Sequence, residues 1–154
     1  MTRTLEEQAT NFQTMRHIER VRNLLDVMVV ELLTRGRLHD QSKLDSPEVE
    51  AFTAKTGELA ASTYGSKQYD ATKVDIAPAL AHHYAHNRHH PEHFRNGIRD
   101  MNLVDLLEMF CDWKAASERH NDGNLRRSIE INGQRFQMSS DLIQIFNNTI
   151  ELVE

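Results

Sequence analysis

The sequence predicts an all-α protein. Three observations carry that expectation. Apolar residues recur at three- and four-residue spacing in segment after segment, the pattern of one buried helix face. Strand-like alternation is nearly absent. Helix caps of the Ser, Asn and Pro type stand where those patterns begin. Together these describe a single domain over 1–154, a bundle of about five to seven helices.

The first helix is expected from about Leu5 to Arg35. Ile18, Val21, Leu25, Met28 and Leu32 share one stripe, and Gly36 stands where a C-terminal glycine belongs. His17 precedes Val21, Leu24 and Met28 on that side, so it is expected to point inward. "RLHDQSKLDSPEVEAF" follows, and it places His39 and Asp40 on a short element between helices. Ser46 reads as an N-cap, Pro47 as the first helical residue and Glu48 as a first-turn acid. That helix should run to about Ala61. "STYGSKQYDATKVD" reads as a polar loop and as a site for a lid.

A third helix is expected over about Ile76 to His86, with Pro78 in its first turn. "NRHHPEHFRNG" reads as irregular: Pro91 disfavours helix at His90, and Asn96-Gly97 is a turn signal. Asn102 caps the next helix, whose apolar face is Leu103, Leu106, Leu107, Phe110 and Trp113. "LRRSIEINGQRF" reads as a short helix through Ile129, then a turn at Asn132-Gly133. Ser139 or Ser140 caps a last helix with Leu142, Ile143, Phe146 and Ile150 inward.

The bulk numbers exclude several classes. Hydrophobic content is 39% and charged content 27%, ordinary for a soluble globular chain. A net charge of −5 does not suit a large nucleic-acid surface. Cys111 is the sole cysteine, so neither an intrachain disulfide nor a zinc ribbon can form. No apolar run is long enough for a signal peptide or membrane span, and a cytoplasmic protein is expected. Self-association is left open.

The chemistry gathers in "ALAHHYAHNRHHPEHF", residues 79–94, where six of the nine histidines fall within sixteen positions. Neutral imidazole is the commonest ligand for transition metals. His82 and His86 are four apart and His83 and His86 three apart, so each pair shares a helical face. His39-Asp40 is an adjacent imidazole and carboxylate. Lys43, three residues on, is a charge that could hold a phosphate oxygen. Asp105 and Asp112 share a face of their helix with Met109 and Ala116, and either could be a late ligand. Cys111 reads as packing.

In chain order the candidates are His17, His39-Asp40 with Lys43, His82-His83 and Asp112. That order resembles the HD-domain superfamily of metal-dependent phosphohydrolases: a histidine, a His-Asp doublet, further histidines and a late aspartate. "HDQSK" resembles the "HDxGK" form of the two-metal branch, with Ser42 in place of glycine. "HDQSK", "HHYAHNRHHPEH" and "DLLEMFCDW" look most like a group of small uncharacterised bacterial and phage HD-like proteins. The resemblance covers His17 to Ala116.

It implies an HD-like helical domain with His17, His39, Asp40 and Asp112 on a first metal. His82 or His83 would join a second, with Asp40 bridging. It implies one or two divalent ions among Mn, Fe, Co, Mg, Ni and Zn, and a small phosphorylated substrate, a nucleotide by preference. "HNRHHPEH" stands where the cyclic-dinucleotide enzymes carry Gly-Tyr-Pro, so their substrate does not transfer. A metal-activated water would attack phosphorus, with Asp40, Lys43 and His86 as catalytic candidates and Lys43, Arg88 and Arg95 as substrate-binding ones. His86, His89, His90 and His93 could be further ligands, outer partners or proton donors. The alternatives are a di-iron oxygenase on the same scaffold and a non-catalytic metal-binding helical module.

Overall fold

The structure is a computed structural model that describes residues 3–61, 74–119 and 123–153. Among them every regular element is helical and no strand occurs. None of these helices is long and apolar enough to cross a membrane. The polar segment read as a loop and lid, 62–75, lies almost wholly outside the described residues.

The chain divides into two units, Met1–Arg37 and Leu38–Glu154. The first is essentially one helix, α1 (Leu5–Leu38). Its start is a capping box: the Glu7 amide donates to Thr4 Oγ1 at 3.2 Å and the Thr4 amide to Glu7 Oε2 at 2.7 Å. The helix runs straight through Gly36, which is therefore not a C-cap. None of its residues is buried; Ile18, Val21, Leu25 and Met28 are all exposed. The inward face expected for this stripe is not seen, because a single helix has no second element of its own unit to pack against.

The second unit holds α2 (Glu48–Ala61), α3 (Ala77–His86), α4 (Leu103–Ser117), α5 (Leu125–Arg135) and α6 (Ser140–Thr149). Between α1 and α2 lies a 3-10 turn, Gln41–Leu44. α2 begins at Glu48, later than expected. Ser46 does not cap it: the Glu48 and Val49 amides donate to the Asp45 carbonyl at 3.1 and 3.0 Å. α3 ends at His86 with Asn87 as its C-cap, and short 3-10 turns carry the chain through Pro91–His93 and Gly97–Asp100. Gly97, at φ 61°, supplies the left-handed turn that Asn96-Gly97 signals.

Asn102 caps α4 as expected, accepting from the Val104 and Asp105 amides. α5 does not turn at Asn132-Gly133; it continues to Arg135. The glycine is there for contact instead. A Cβ at Gly133 would lie 2.9 Å from Ile143 Cδ1, so its absence lets α6 approach α5 closely. Ser139 rather than Ser140 caps α6.

The apolar core joins α4, α5 and α6. Met109, Phe110, Leu125, Ile129, Phe146 and Ile150 are buried, with Leu106, Trp113, Leu142 and Ile143 packed around them. Phe110 and Trp113 meet Phe146 edge-on, with ring centroids 5.5 and 5.9 Å apart. Leu103 and Leu107, expected on this face, are exposed.

Candidate metal centre

The opposite side of α4 faces a second, polar interior. Its centre is Asp40. That residue has φ 57°, a left-handed conformation uncommon for a side-chain-bearing residue and tolerated by aspartate. Such a backbone persists where surrounding contacts hold it, and it is often found at functional sites. Here it turns the carboxylate into a ring of imidazoles. Oδ1 lies 3.3 Å from His83 Nε2 and 3.5 Å from His89 Nε2. Oδ2 lies 3.5 Å from His39 Nε2 and 2.6 Å from Lys43 Nζ.

The four histidines come from three pieces of chain. His39 precedes Asp40, His83 lies on α3, and His89 and His90 lie just beyond its end. His83 Nε2 and His90 Nε2 are 2.9 Å apart. His39 Nε2 is 3.7 Å from Asp112 Oδ1 of α4. Three sets of ligand atoms each close to within 4.8 Å: Asp40, His83, His89 and His90; His39, Asp40 and Asp112; His39, His89 and Glu108.

Two glutamates stand behind these histidines. Glu48, fully buried at the start of α2, receives His83 Nδ1 at 2.8 Å and His82 Nδ1 at 2.7 Å. Glu108 Oε1 receives His39 Nδ1 at 2.9 Å and lies 3.1 Å from His89 Nδ1. Ser42 replaces the glycine of "HDxGK" and uses its hydroxyl to accept from Asn87 Nδ2 at 2.7 Å, tying the 3-10 turn to the end of α3.

The electrostatics describe a site that holds a proton where a cation would fit. His39 is raised to about 10 by the Asp112 and Glu108 carboxylates on its two nitrogens, against the effect of burial. Burial pushes Asp112 up most strongly, yet His39 and His89 hold it below the usual carboxylate range. Asp40 is likewise lowered: Lys43, His39 and His83 together outweigh its burial. Glu48 is lowered because hydrogen bonds from His82, Ser42 and His83 outweigh its burial. Burial, then neighbouring His89 and His83, drives His90 down to about 2. Burial, then Lys43, lowers His83. The ion-free site thus contains ionised carboxylates and neutral His83 and His90, the ligand forms a metal needs.

Buried polar groups are normally hydrogen-bonded. Asp40 Oδ1 and both ring nitrogens of His89 are buried here without an aligned hydrogen bond. A cation between Asp40 Oδ1 and His89 Nε2 could supply the partner that these two atoms lack. Imidazole and carboxylate donors together suit Zn, Fe, Mn, Co or Ni better than an all-oxygen ion such as Ca. The residues therefore fit a transition metal.

A family model described as "Family of unknown function (DUF5662)" matches residues 6–152. The chain belongs to this family. No curated protein and no solved structure matches it. The DUF5662 match spans every residue of the centre, from His39 to Asp112.

Of the residues singled out from the sequence, His39, Asp40, His83 and Asp112 come together, with Lys43 beside them. The two aspartates differ in what each touches. Asp105 is fully buried, accepts from the Asn102 amide at 3.0 Å and takes the fork of Arg88 at 3.0 and 3.1 Å; it belongs to none of the ligand sets. Arg88 is thereby paired with Asp105 and lies over the Phe94 ring at 4.8 Å. His82 turns to Glu48 and stacks on His86, 4.0 Å between rings. His86 Nδ1 donates to the His82 carbonyl at 2.8 Å, and His93 Nδ1 to that of Tyr84. Arg95 is exposed. His17 is exposed on α1, in the other unit, and is in none of the three sets.

Sequence reasoning passed over Glu48 and Glu108. Glu108 carried a readable signal: it is four residues before Asp112 and so shares its face. Glu48 looked like an ordinary first-turn acid.

Proposed function

We propose that this DUF5662 protein is a cytoplasmic, HD-like phosphohydrolase that uses one or two divalent metal ions to cleave a phosphate ester, a nucleotide by preference. The observation that carries the reading is Asp40: both its carboxylate oxygens face imidazole nitrogens from separate segments, and Lys43 sits directly on one of them. A metal bound there would polarise a phosphoryl oxygen and bring the pKa of a bound water from about 15.7 toward 7.

The chain's own residues supply the rest. Asp40, His83, His89 and His90 form one half of the donor set, and His39 with Asp112 the other, meeting at Asp40. Lys43 is half-buried, held by Asp40 and lying over the Phe52 ring at 5.6 Å. Its ammonium is a fixed positive charge next to the donors, suited to a phosphate oxygen. In a chain of net charge −5, such local charge is what lets an anionic substrate settle.

The test combines metal analysis of untagged protein with a phosphate-release screen. Nucleoside mono-, di- and triphosphates and cyclic nucleotides are each tried with Mn, Mg, Co and Fe. Lys43→Ala should lower kcat/KM by about tenfold to somewhat over a hundredfold, the ~1.5–3 kcal/mol of one charge-assisted hydrogen bond, with metal content unchanged. Absence of hydrolysis by fully metallated wild type would remove the phosphohydrolase reading. The same donors suit iron, so coloured protein that consumes dioxygen would favour the di-iron oxygenase. Metal without turnover would favour the binding module.

A further inference from the structure

The three ligand sets overlap: the first two share only Asp40, whereas the third takes His89 from the first and His39 from the second. The tautomers decide among them. A carboxylate only accepts hydrogen bonds. His83 meets a carboxylate at each nitrogen, but the Glu48 contact at Nδ1 is the shorter, 2.8 Å against 3.3 Å from Nε2 to Asp40, so in the neutral ring Nδ1 carries the hydrogen and Nε2 the lone pair. Glu108 does the same to His39: Nδ1 at 2.9 Å is committed to the carboxylate, and Nε2 is the nitrogen that can shed its proton to a metal. The two Nε2 atoms then face the two oxygens of one carboxylate, His83 toward Asp40 Oδ1 at 3.3 Å and His39 toward Oδ2 at 3.5 Å. The arrangement is a pair of matching clamps, one from the start of α2 and one from the middle of α4.

From this we infer that Glu48 and Glu108 are positioning residues that fix His83 and His39 as Nε2 donors, so that metal binds on the Asp40 side and not within the His39–His89–Glu108 triangle. The inference rests on the metal-centre reading above. A carboxylate behind a metal-bound imidazole sets its tautomer and ring angle and raises its basicity, and losing such a partner commonly costs about 10–100-fold in metal affinity. Each glutamate also has a second histidine close by, His82 for Glu48 and His89 for Glu108. For Glu48 this is a second hydrogen bond, a further point of contact against rotation.

Zinc is the probe, because it is diamagnetic and takes imidazole and carboxylate donors. Nitrogen-15 NMR of the histidine rings in zinc-loaded wild type should show His83 and His39 protonated at Nδ1 and metal-bound at Nε2. Glu48→Gln should weaken zinc by about 10–100-fold and move the ring signals of His83, not those of His39. Glu108→Gln should weaken zinc comparably and move His39, not His83. Glu48→Asp and Glu108→Asp should recover part of the affinity, which a merely structural role would not predict. The wild-type spectrum needs no variant to fold and decides the matter by itself. Zinc on Nδ1 of either histidine, or Gln variants that bind zinc as wild type does, would overturn the clamps while leaving a metal centre in place. Clamped Nε2 ligation without phosphate release would sustain them while removing the phosphohydrolase reading. Wild type that takes up no zinc would overturn both.

Discussion

α4 separates two kinds of interior. On one side Phe110, Leu106 and Trp113 meet α5 and α6 in an apolar cluster that is complete in itself, with aromatic edges against aromatic faces. On the other side Glu108 and Asp112 look onto His39, Asp40, His83, His89 and His90, where buried polar atoms lack aligned partners. Apolar burial is non-directional and roughly additive in area, so such a cluster is satisfied by filling space. Burial of charge is directional and costly unless every group is paired. One half of the unit is therefore satisfied by packing alone, and the other is a cluster that could hold a cation.

The largest expected effect breaks the apolar half. Phe146→Ala removes the ring that Phe110 and Trp113 both meet, and should destabilise the ion-free protein by about 3–5 kcal/mol in urea unfolding. Metal affinity of the fraction that remains folded should not change. A large loss of metal affinity in folded Phe146→Ala protein would show that the two interiors are one cooperative unit.

Breaking the polar half should do the reverse. Asp40→Ala removes the carboxylate that both halves of the donor set share, and should weaken metal by more than the ~100-fold upper range for losing an outer partner. Asp112→Asn should also lose metal, measured by the metal content of purified protein. Asp105→Asn should keep its metal but lose about 1.5–3 kcal/mol of stability, because its charge pairs with Arg88 and not with the centre. An Asp105→Asn protein that loses metal while Asp112→Asn keeps it would reverse the assignment.

Gly133→Ala sharpens the comparison on the apolar side. The new Cβ meets Ile143 at 2.9 Å, and overpacking of this kind costs about 1–3 kcal/mol. Thermal melts should show the loss, with metal content untouched.

The most gradual effect is one of pH. Because His39 is raised from 6.5 to about 10 in the ion-free protein, the folded state binds its proton more tightly than the unfolded chain. That contribution to stability is fully present below about pH 6.5 and is lost as pH rises toward about 10. A metal on His39 Nε2 must displace the same proton. Metal uptake near neutral pH should therefore release a proton from His39, and this group alone should make affinity rise by up to about tenfold per pH unit. Calorimetry in buffers of different ionisation enthalpy reads the proton count, and uptake with no proton release would place His39 outside the ligand set.

The helical class, the starts of α3, α4 and α6 and the apolar positions of α6 were legible in the sequence, because helix periodicity and capping are relations between residues three or four apart. Glycine was misread twice, at Gly36 and Gly133, since the same residue serves a turn and a close helix approach, and only a neighbour's position distinguishes them. The His-Asp doublet and the histidine-rich segment were visible as composition. Their sorting was not. Spacing does not rank His82, His83 and His86, yet of the three His83 alone joins the centre: its Nδ1 meets Glu48, 35 residues away, while its Nε2 faces Asp40. His39 is held by a carboxylate 69 residues away. Periodicity carries no information across such separations. Local sequence decided which residues form helices and which carry metal-binding groups. Tertiary structure decided which of those groups meet, because an imidazole's direction is set by the partner behind it, and that partner arrives only when distant helices pack.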